Sequence, residues 1–345
     1  METLLPELRE LLAFLLILGG AVGVHEMGHL TVAVAGGVRI VEAGLGLPPR
    51  LARLGRVRGT LVSLNLIPLG GFVLPAGEFG GTERGDFTAR PRGVRAAVLA
   101  AGPAANLLAA FFVLTVAYVI GGPEEGLARV VAVSAGSPAE AAGLMAGDVV
   151  QWRQFRGPEG ELSLGEMLRA SAGRPVRLSI ERDGAAIEVE LTPRLVVPPG
   201  EGPAGFTTIA VIRPHDPAEA AARAGETMFL FLRATFEALT GDVPARMVGP
   251  LGLKQASDWA VRGAASWSSL FPLLYLAALI NTGLALTNLL PIPALDGGRL
   301  ALLAVEAVGV RLSPRLTKVL VGTSAAGLIC LMAVLTVRDL VEPLM

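Results

Sequence analysis

The sequence predicts a multi-pass α-helical membrane protein with four transmembrane helices, a membrane-associated β-hairpin and an inserted extracytoplasmic α/β domain. Of its 345 residues 52% are hydrophobic and only 17% are charged, which is too apolar for an ordinary soluble enzyme. Four nearly uncharged stretches have a length of about 20 residues, which is enough to cross a bilayer. The loops on one side of these stretches are rich in arginine, as cytoplasmic loops are.

The four apolar stretches fix the expected topology. They cover residues 11–35, 96–120, 270–290 and 319–337. A buried helix of a soluble core is the alternative for each one, but four in one chain favour a membrane. The segment between the first two stretches holds nine arginines against four acidic residues, and the segment after the third is also basic. We therefore place both segments in the cytoplasm, and the termini and the central segment outside.

This topology divides the chain into eight predicted segments. The four helices alternate with loops and with one inserted domain, and the last segment also contains the C-terminus. The boundaries are residues 1–37, 38–95, 96–121, 122–197, 198–269, 270–298, 299–318 and 319–345. The net charge of −1 gives no reason to expect a nucleic-acid partner. A single cysteine, Cys330, excludes a disulfide framework and a cysteine-based metal site within one chain.

The first stretch contains the pattern His-Glu-Met-Gly-His at residues 25–29. Residues four apart lie on the same face of a helix, so His25 and His29 can hold one metal ion together. Glu26 stands beside the first histidine, where it can take a proton from a water molecule at that metal. Ionisable side chains inside a membrane segment are costly and indicate function. The alternative is that polar residues near a helix end match the pattern by chance.

Residues 59–73 predict two β-strands around a turn at Pro68, Gly70 and Gly71. We interpret this segment as a hairpin that dips into the membrane from the cytoplasmic side. Its exposed strand edge could pair with an extended substrate, although an ordinary surface hairpin is an equal alternative. The candidate substrate-binding residues are Leu61, Val62, Ser63, Leu64, Gly70, Gly71 and Phe72.

The second stretch contains Gly102, Pro103 and Asn106. Small residues at this position let a neighbouring helix approach closely. Asn106 lies in an apolar run and should find a hydrogen-bond partner inside the helix bundle. Support of the metal site is its lesser alternative role, and we include Asn106 among the candidate substrate-binding residues.

The central segment, residues 127–192, differs in kind from the apolar stretches. It predicts strands, a short helix at residues 139–142 and a hairpin at Asp183-Gly184. Its string S-P-A-x-x-A-G-L-x-x-G-D resembles that of PDZ domains, and the resemblance implies capture of peptide tails by strand addition. Residues 152–162 depart from the short turn usual in PDZ domains. A Pro/Gly linker, a strand at residues 206–212 and an amphipathic helix at residues 218–239 follow.

A catalytic zinc site usually has a third protein ligand besides two histidines. The remaining histidine, His215, lies in the predicted outside segment. Asp296 is the better candidate because it follows the third apolar stretch at its cytoplasmic end, after the helix-breaking Pro291 and Pro293. Its alternative role is that of a turn residue, which is common for aspartate before glycine.

Together these motifs resemble the site-2 protease family of bacterial intramembrane metalloproteases. The resemblance rests on H-E-x-x-H in the first helix, G-P-x-x-N in the second, the PDZ-like string and N-x-x-P-x-x-x-L-D-G in the third helix. It implies that His25, His29 and Asp296 bind Zn²⁺, that Glu26 is the catalytic base and that Asn288 contacts the substrate or the oxyanion. The hairpin matches a membrane-dipping element of that family.

The resemblance also implies a function and a location. We expect peptide-bond hydrolysis in transmembrane segments of single-span proteins such as pre-trimmed anti-sigma factors, in the cell membrane. The active site would lie near the cytoplasmic side, and the PDZ domain would be extracytoplasmic and would bind peptide tails. Clearance of signal-peptide remnants, a non-catalytic PDZ adaptor and an ion transporter are the alternatives.

Overall fold

The computed structural model describes residues 4–152, 156–157, 160–161, 163–241, 249–267, 269–310 and 312–342. The chain divides into two compact units. The helical unit comprises Met1–Ala117, Asp216–Ala265 and Leu270–Met345. The central unit comprises Tyr118–His215 and Ser266–Ser269.

Four helices are long and apolar enough to cross a membrane, as the sequence predicts. They are α1 (Leu4–Ala35), α2 (Arg92–Gly121), α7 (Phe271–Leu289) and α9 (Pro314–Val341). Each of these helices covers all, or all but one or two residues, of the corresponding predicted stretch. Helix α9 begins at Pro314, and its N-terminus is capped by the Ser313 hydroxyl, which accepts a hydrogen bond from the Leu316 N–H.

The other helices are shorter or amphipathic. They are α3 (Pro138–Ala141), α4 (Leu164–Ala170), α5 (Pro217–Thr240), α6 (Pro250–Trp267) and α8 (Asp296–Ala307), with a 3₁₀ turn at Phe87–Ala89. Helix α5 confirms the predicted amphipathic helix and exposes Phe229 and Phe236. Helices α6 and α8 lie in segments for which the sequence predicted a linker and a cytoplasmic loop.

A long β-ribbon connects α1 and α2. Strand β1 (Ile40–Val57) pairs with β2 (Thr60–Pro75) in an antiparallel two-stranded sheet. The turn lies at Arg58 and Gly59, which both have positive φ angles. The prediction of two strands within residues 59–73 is therefore wrong, because residues 60–73 belong to the single strand β2 and its partner strand precedes it. Strand β1 escaped prediction because it is rich in Gly, Pro and Arg, which are unusual in strands.

In the ribbon, one segment of β1 pairs with two different segments of β2. Residues Glu42–Leu45 face Leu61–Leu64 on one side and Gly71–Leu74 on the other. The first half of β1 thus lies between the two halves of β2. Ser63 donates a hydrogen bond to the buried Glu42 carboxylate at 2.6 Å, and Arg50 also donates to Glu42, which satisfies this charge inside the ribbon.

The central unit is built on a five-stranded antiparallel sheet in the order β8-β7-β4-β3-β9. Its strands are β3 (Gly122–Val133), β4 (Val149–Gln151), β7 (Val176–Arg182), β8 (Ala185–Leu191) and β9 (Phe206–Arg213). A further pair, β5 (Arg156–Gly157) and β6 (Gly160–Glu161), forms a separate ladder, and most other residues of segment 152–162 lie outside the described residues.

Alternation along the strands builds the core of the central unit. Val130, Val150, Leu178 and Ile180 are completely or almost completely buried, together with Met167 of α4. The Asp183-Gly184 turn joins β7 to β8, as the sequence predicts. Strand β9, which the sequence placed in the linker segment, pairs with β3 and completes the sheet.

Candidate active site

Helix α1 supplies the first three residues of the candidate site. His25, Glu26 and His29 lie on one long helix, and the spacing of four places the two imidazoles one turn apart on the same face. Their ring centroids are 4.7 Å apart. His25 is buried.

The turn between α7 and α8 supplies the fourth residue. Helix α7 ends at Leu289, Pro291 and Pro293 prevent it from continuing, and Asp296 begins α8. A side chain at Gly297 would overlap the Leu289 carbonyl, and one at Gly298 would overlap the Ile292 carbonyl. The two glycines thus let the chain turn tightly enough to bring Asp296 to the histidines.

Three ligand atoms meet at one point. The Nε2 atoms of His25 and His29 are 3.1 Å apart, and each lies 3.1 Å from Asp296 Oδ2. Among the described residues, these three form the group of His, Cys, Asp and Glu side chains that could hold a metal ion. The structure therefore brings together residues that are 267 positions apart in the chain.

The donor set fits zinc. Zinc in proteins prefers tetrahedral sites with nitrogen and oxygen ligands at about 2.0–2.2 Å, which places the ligand atoms roughly 3.3 Å from one another. The observed triangle has sides of 3.1 Å. His29 Nδ1 lies 2.7 Å from the Val98 carbonyl oxygen, so a proton on Nδ1 would leave the Nε2 lone pair directed at the metal position.

Glu26 stands beside this triangle in a cleft of about 360 Å³. Its carboxylate faces the backbone N–H of Val73, near the end of strand β2. Asn288 lines the same cleft and donates a hydrogen bond from Nδ2 to the Leu284 carbonyl at 3.0 Å. The arrangement can position a base, a metal and an amide around one peptide bond.

Comparison with known proteins agrees with this geometry. The model of peptidase family M50 matches residues 13–333. The chain belongs to peptidase family M50. This is the site-2 protease family that the sequence motifs indicated, and the chain is accordingly a zinc metalloprotease and a membrane protein.

Relatives of this M50 protease cover most of its length. Metalloprotease MmpA of Caulobacter vibrioides is 29% identical over 354 residues, which cover 87% of each chain. A relative from Rhizobium meliloti whose name includes zinc metalloprotease is 30% identical over 332 residues, with 86% of each chain covered. The regulator of sigma-E protease RseP of Salmonella typhimurium is 26% identical over 428 residues, which cover 88% of this chain and 92% of RseP.

The other residues predicted for the site lie in different places. Phe72 lines the cleft of this M50 protease. A side chain at Gly71 would come within 3.7 Å of the Glu26 side chain, and one at Gly70 would meet Val22 of α1. In contrast, Leu61–Leu64 pair with β1 on its other side, away from the Gly71–Leu74 segment.

Asn106 is completely buried in α2 and is absent from the residues that line the cleft. Its side-chain nitrogen and oxygen have no hydrogen-bond partner among the described residues, and neither does Nδ1 of His25. The expected hydrogen-bond partner of Asn106 is therefore not found among the described residues, and its role in substrate binding stays a prediction.

Sequence reasoning missed several contributors. Gly102 was predicted to permit helix packing, and Gly28 of α1 indeed lies where a side chain would meet Ala101 and Ala105. However, Gly102 also adjoins the site, because a Cβ there would lie 2.8 Å from His25 Nε2 and would overlap His29 Nε2. The Val98 carbonyl and the Val73 N–H are backbone groups, which every residue has, so no sequence signal could have identified them.

Proposed function

We propose that this M50 protease hydrolyses peptide bonds within or beside the transmembrane segments of single-span membrane proteins. The observation that carries the proposal is the placement of His25, Glu26 and His29 within an apolar helix, with both histidines in contact with Asp296. A soluble protein substrate could not reach such a site easily, whereas a segment already in the bilayer could. We assign His25, His29 and Asp296 as the zinc ligands.

Glu26 is the proposed general base. Bound zinc would polarise the scissile carbonyl and make water more acidic. A Glu26 carboxylate oxygen takes the proton from the attacking water and delivers it to the leaving nitrogen. The backbone N–H of Val73 faces this carboxylate and helps to orient it. Asn288 has a second hydrogen on Nδ2, which we assign to the substrate carbonyl oxygen.

A substrate helix must unwind before its carbonyl groups become accessible, and this frees backbone groups that cost energy in an apolar medium. We assign the Gly71–Leu74 segment of β2 to this task. Phe72, Val73 and Leu74 line the cleft, so an extended substrate could add to this strand beside Glu26. In this proposal Leu61–Leu64 support the ribbon through β1 and do not touch the substrate directly.

The central unit is the proposed PDZ-like domain, which would bind peptide tails outside the cytoplasm. Its antiparallel sheet, its two short helices and the string at residues 137–148 support this assignment. The alignment with RseP spans 428 positions, more than the 345 residues of this chain, so RseP carries additional residues. Because RseP is named as a regulator of the sigma-E factor, we propose anti-sigma factors trimmed outside the cell as substrates.

Cleavage of a tagged single-span protein in detergent tests the proposal, with zinc measured by mass spectrometry on the same samples. We expect the wild type to cleave, Glu26→Gln to retain zinc and lose activity by at least about 10³-fold, and Glu7→Gln to behave as the wild type. Glu7 is a matched control because it lies on the same helix and is exposed. Equal activity of Glu26→Gln and wild type would refute the assigned base.

Three substrates distinguish the proposed physiological role from its alternative. An anti-sigma factor shortened on its outer side should be cleaved faster than the intact protein, and a signal-peptide remnant should be the poorer substrate. Deletion of residues 127–192 should remove the preference for the shortened form. If the remnant is cleaved faster than the shortened anti-sigma factor, clearance of remnants is the correct function.

A further inference from the structure

A second cavity, of about 590 Å³, lies within the helical unit next to the active-site cleft. It is lined by one face of α2, one face of α8, the first turns of α9 and the loop at residues 78–82. We call it the α2–α8–α9 cavity.

The cavity continues the cleft. Four residues line both spaces, namely Glu78, Phe87, Leu99 and Arg299. From this shared boundary the cavity follows α2 from Leu99 back to Arg92 and α8 from Arg299 on to Glu306. Seven residues of helix correspond to about 10 Å. An extended peptide advances about 3.3 Å per residue, so the cavity accommodates about three residues.

The charges on the cavity wall are already paired. Arg299 bonds to Glu78, and Arg95 forms a salt bridge with Glu306 at 3.0 Å. Arg92 donates a hydrogen bond to the Glu306 backbone carbonyl at 3.0 Å and lies 3.8 Å from its carboxylate. A free phosphate or lipid head group would compete with these carboxylates, because Glu78 pairs with Arg299 and Glu306 is shared by Arg92 and Arg95.

Apolar side chains supply most of the remaining wall. They come from the loop, from α8 and from α9, and include Phe79, Leu302, Leu303, Leu312 and Val321. The Arg299 guanidinium lies over the Phe79 ring, 5.8 Å from its centroid. This contact helps to fix the Arg299–Glu78 ion pair at the boundary between the cavity and the cleft. An uncharged, extended and largely apolar peptide matches this wall.

We propose that the α2–α8–α9 cavity binds about three substrate residues on the cytoplasmic side of the scissile bond. This inference rests on the proposed function and adds a binding site for the peptide that leaves the cleft. The cavity ends where α2 and α9 begin and where α8 ends, which the arginine-rich loops place at the cytoplasmic side. Large apolar residues of the substrate at these positions should favour cleavage.

The test combines a filled cavity with substrates of two lengths. Thr317→Trp fills the cavity from α9, whereas Val319→Trp places the same side chain on an exposed position of α9 outside the lining. The substrates are synthetic single-span peptides with a mapped cleavage position. The long peptide continues for about six residues on the cytoplasmic side of the scissile bond, and the short one ends after the first residue.

We expect Thr317→Trp to lower kcat/KM for the long peptide by about tenfold or more and for the short peptide by less than about twofold. Val319→Trp should leave both values within about twofold of the wild type. Zinc content should be equal in all three proteins. Equal losses on both peptides, or no loss on either, would overturn the proposal, and equal losses with co-purified phospholipid would identify a lipid site instead.

A second variant guards against a simple folding defect. Leu302→Ala enlarges the cavity, so it should increase the relative cleavage of a long peptide with tryptophan at the second residue beyond the scissile bond. An unchanged preference would also contradict the proposal. If the wild type cleaves neither the long nor the short peptide while retaining zinc, the proposed function fails first and this proposal fails with it.

Discussion

The cleft of the helical unit and the core of the central unit treat buried charge in opposite ways. In the cleft, two imidazoles and a carboxylate direct their ligand atoms at one point, 3.1 Å apart. In the central unit, the carboxylate of Asp148 is almost fully buried, and each of its oxygens accepts a hydrogen bond of 2.7 Å from Arg182. Its Oδ2 also accepts a bond from the Met145 N–H.

The comparison teaches how to separate a functional cluster from a structural one. Buried polar groups are normally satisfied by partners of opposite character. The Asp148–Arg182 pair meets this rule within the chain, and it therefore serves folding. The three converging ligand atoms of the cleft would be completed by the zinc ion that we propose to bind there.

The sharpest test of this difference is the loss of one carboxylate charge in each unit. Asp296→Asn removes a proposed ligand, so we expect loss of zinc and a fall in activity of at least about 10³-fold. The fold should persist, because the substituted side chain has the same shape. Zinc analysis and cleavage on the same sample measure both effects. Full zinc content in Asp296→Asn would show that Asp296 is not a ligand.

Gly102 provides a second test, which asks whether the metal site depends on close helix packing. In Gly102→Ala the new methyl group would meet both ligand histidines, so we expect zinc affinity to fall by about 10–100-fold. Gly93→Ala is the matched control, because it lies on the same helix with open space around it. Competition with a zinc chelator measures the affinities. Equal zinc affinities of the two variants would show that α2 shifts to accommodate the methyl group and that Gly102 is not required at the site.

Asp296 and Gly102 also show which parts of the site can be predicted from sequence. The histidines, Glu26 and Asp296 were predictable because chemistry depends on their side chains and because the helical period places them together. Gly102 was visible only as a small residue, since its role depends on which helix lies opposite. The cavity beyond Arg299 was not predictable, because three helix faces from distant parts of the chain form it.

Fold prediction succeeded and failed for similarly physical reasons. Long apolar runs identify membrane helices by length alone, so all four were found. Strand β1 was missed because Gly44, Gly46, Pro48, Pro49 and Gly55 interrupt its pattern. Pairing with β2 on two sides overrides these weak local preferences. Helix α8 was missed because the segment around it was assigned by charge rather than by period.

The structural pair in the central unit should give the opposite result to the metal ligands. We expect Asp148→Asn to retain zinc and to reduce the free energy of unfolding of the central unit by about 2 kcal/mol, because the buried charged bonds are lost. Glu190→Gln breaks an exposed pair with Arg177 and should produce no measurable change. Hydrogen exchange of the full-length protein, followed on peptides from residues 118–215, measures the effect. Protection that falls equally in both variants would contradict the distinction between buried and exposed pairs.

The pH dependence of the central unit provides a finer test of the same pair. The hydrogen bonds from Arg182 hold the pKa of Asp148 below its ordinary value of 3.8, against an opposing effect of burial. A carboxyl group whose pKa is lowered on folding contributes stability that is fully present above its unfolded pKa. This stability is lost as the pH falls through the folded pKa. We therefore expect protection of the central unit to be constant with respect to Asp148 above about pH 5 and to decline below about pH 4.

Asp148→Asn isolates this contribution, because an amide does not titrate in this range. The difference in protection between wild type and Asp148→Asn should shrink as the pH falls below 3.8, while the difference between wild type and Glu190→Gln stays near zero. A difference that is unchanged down to the lowest accessible pH would show that the shape of the Asp148 side chain, rather than its charge, stabilises the central unit. The charge would then be dispensable in the central unit, and only the cleft would depend on buried ionised groups.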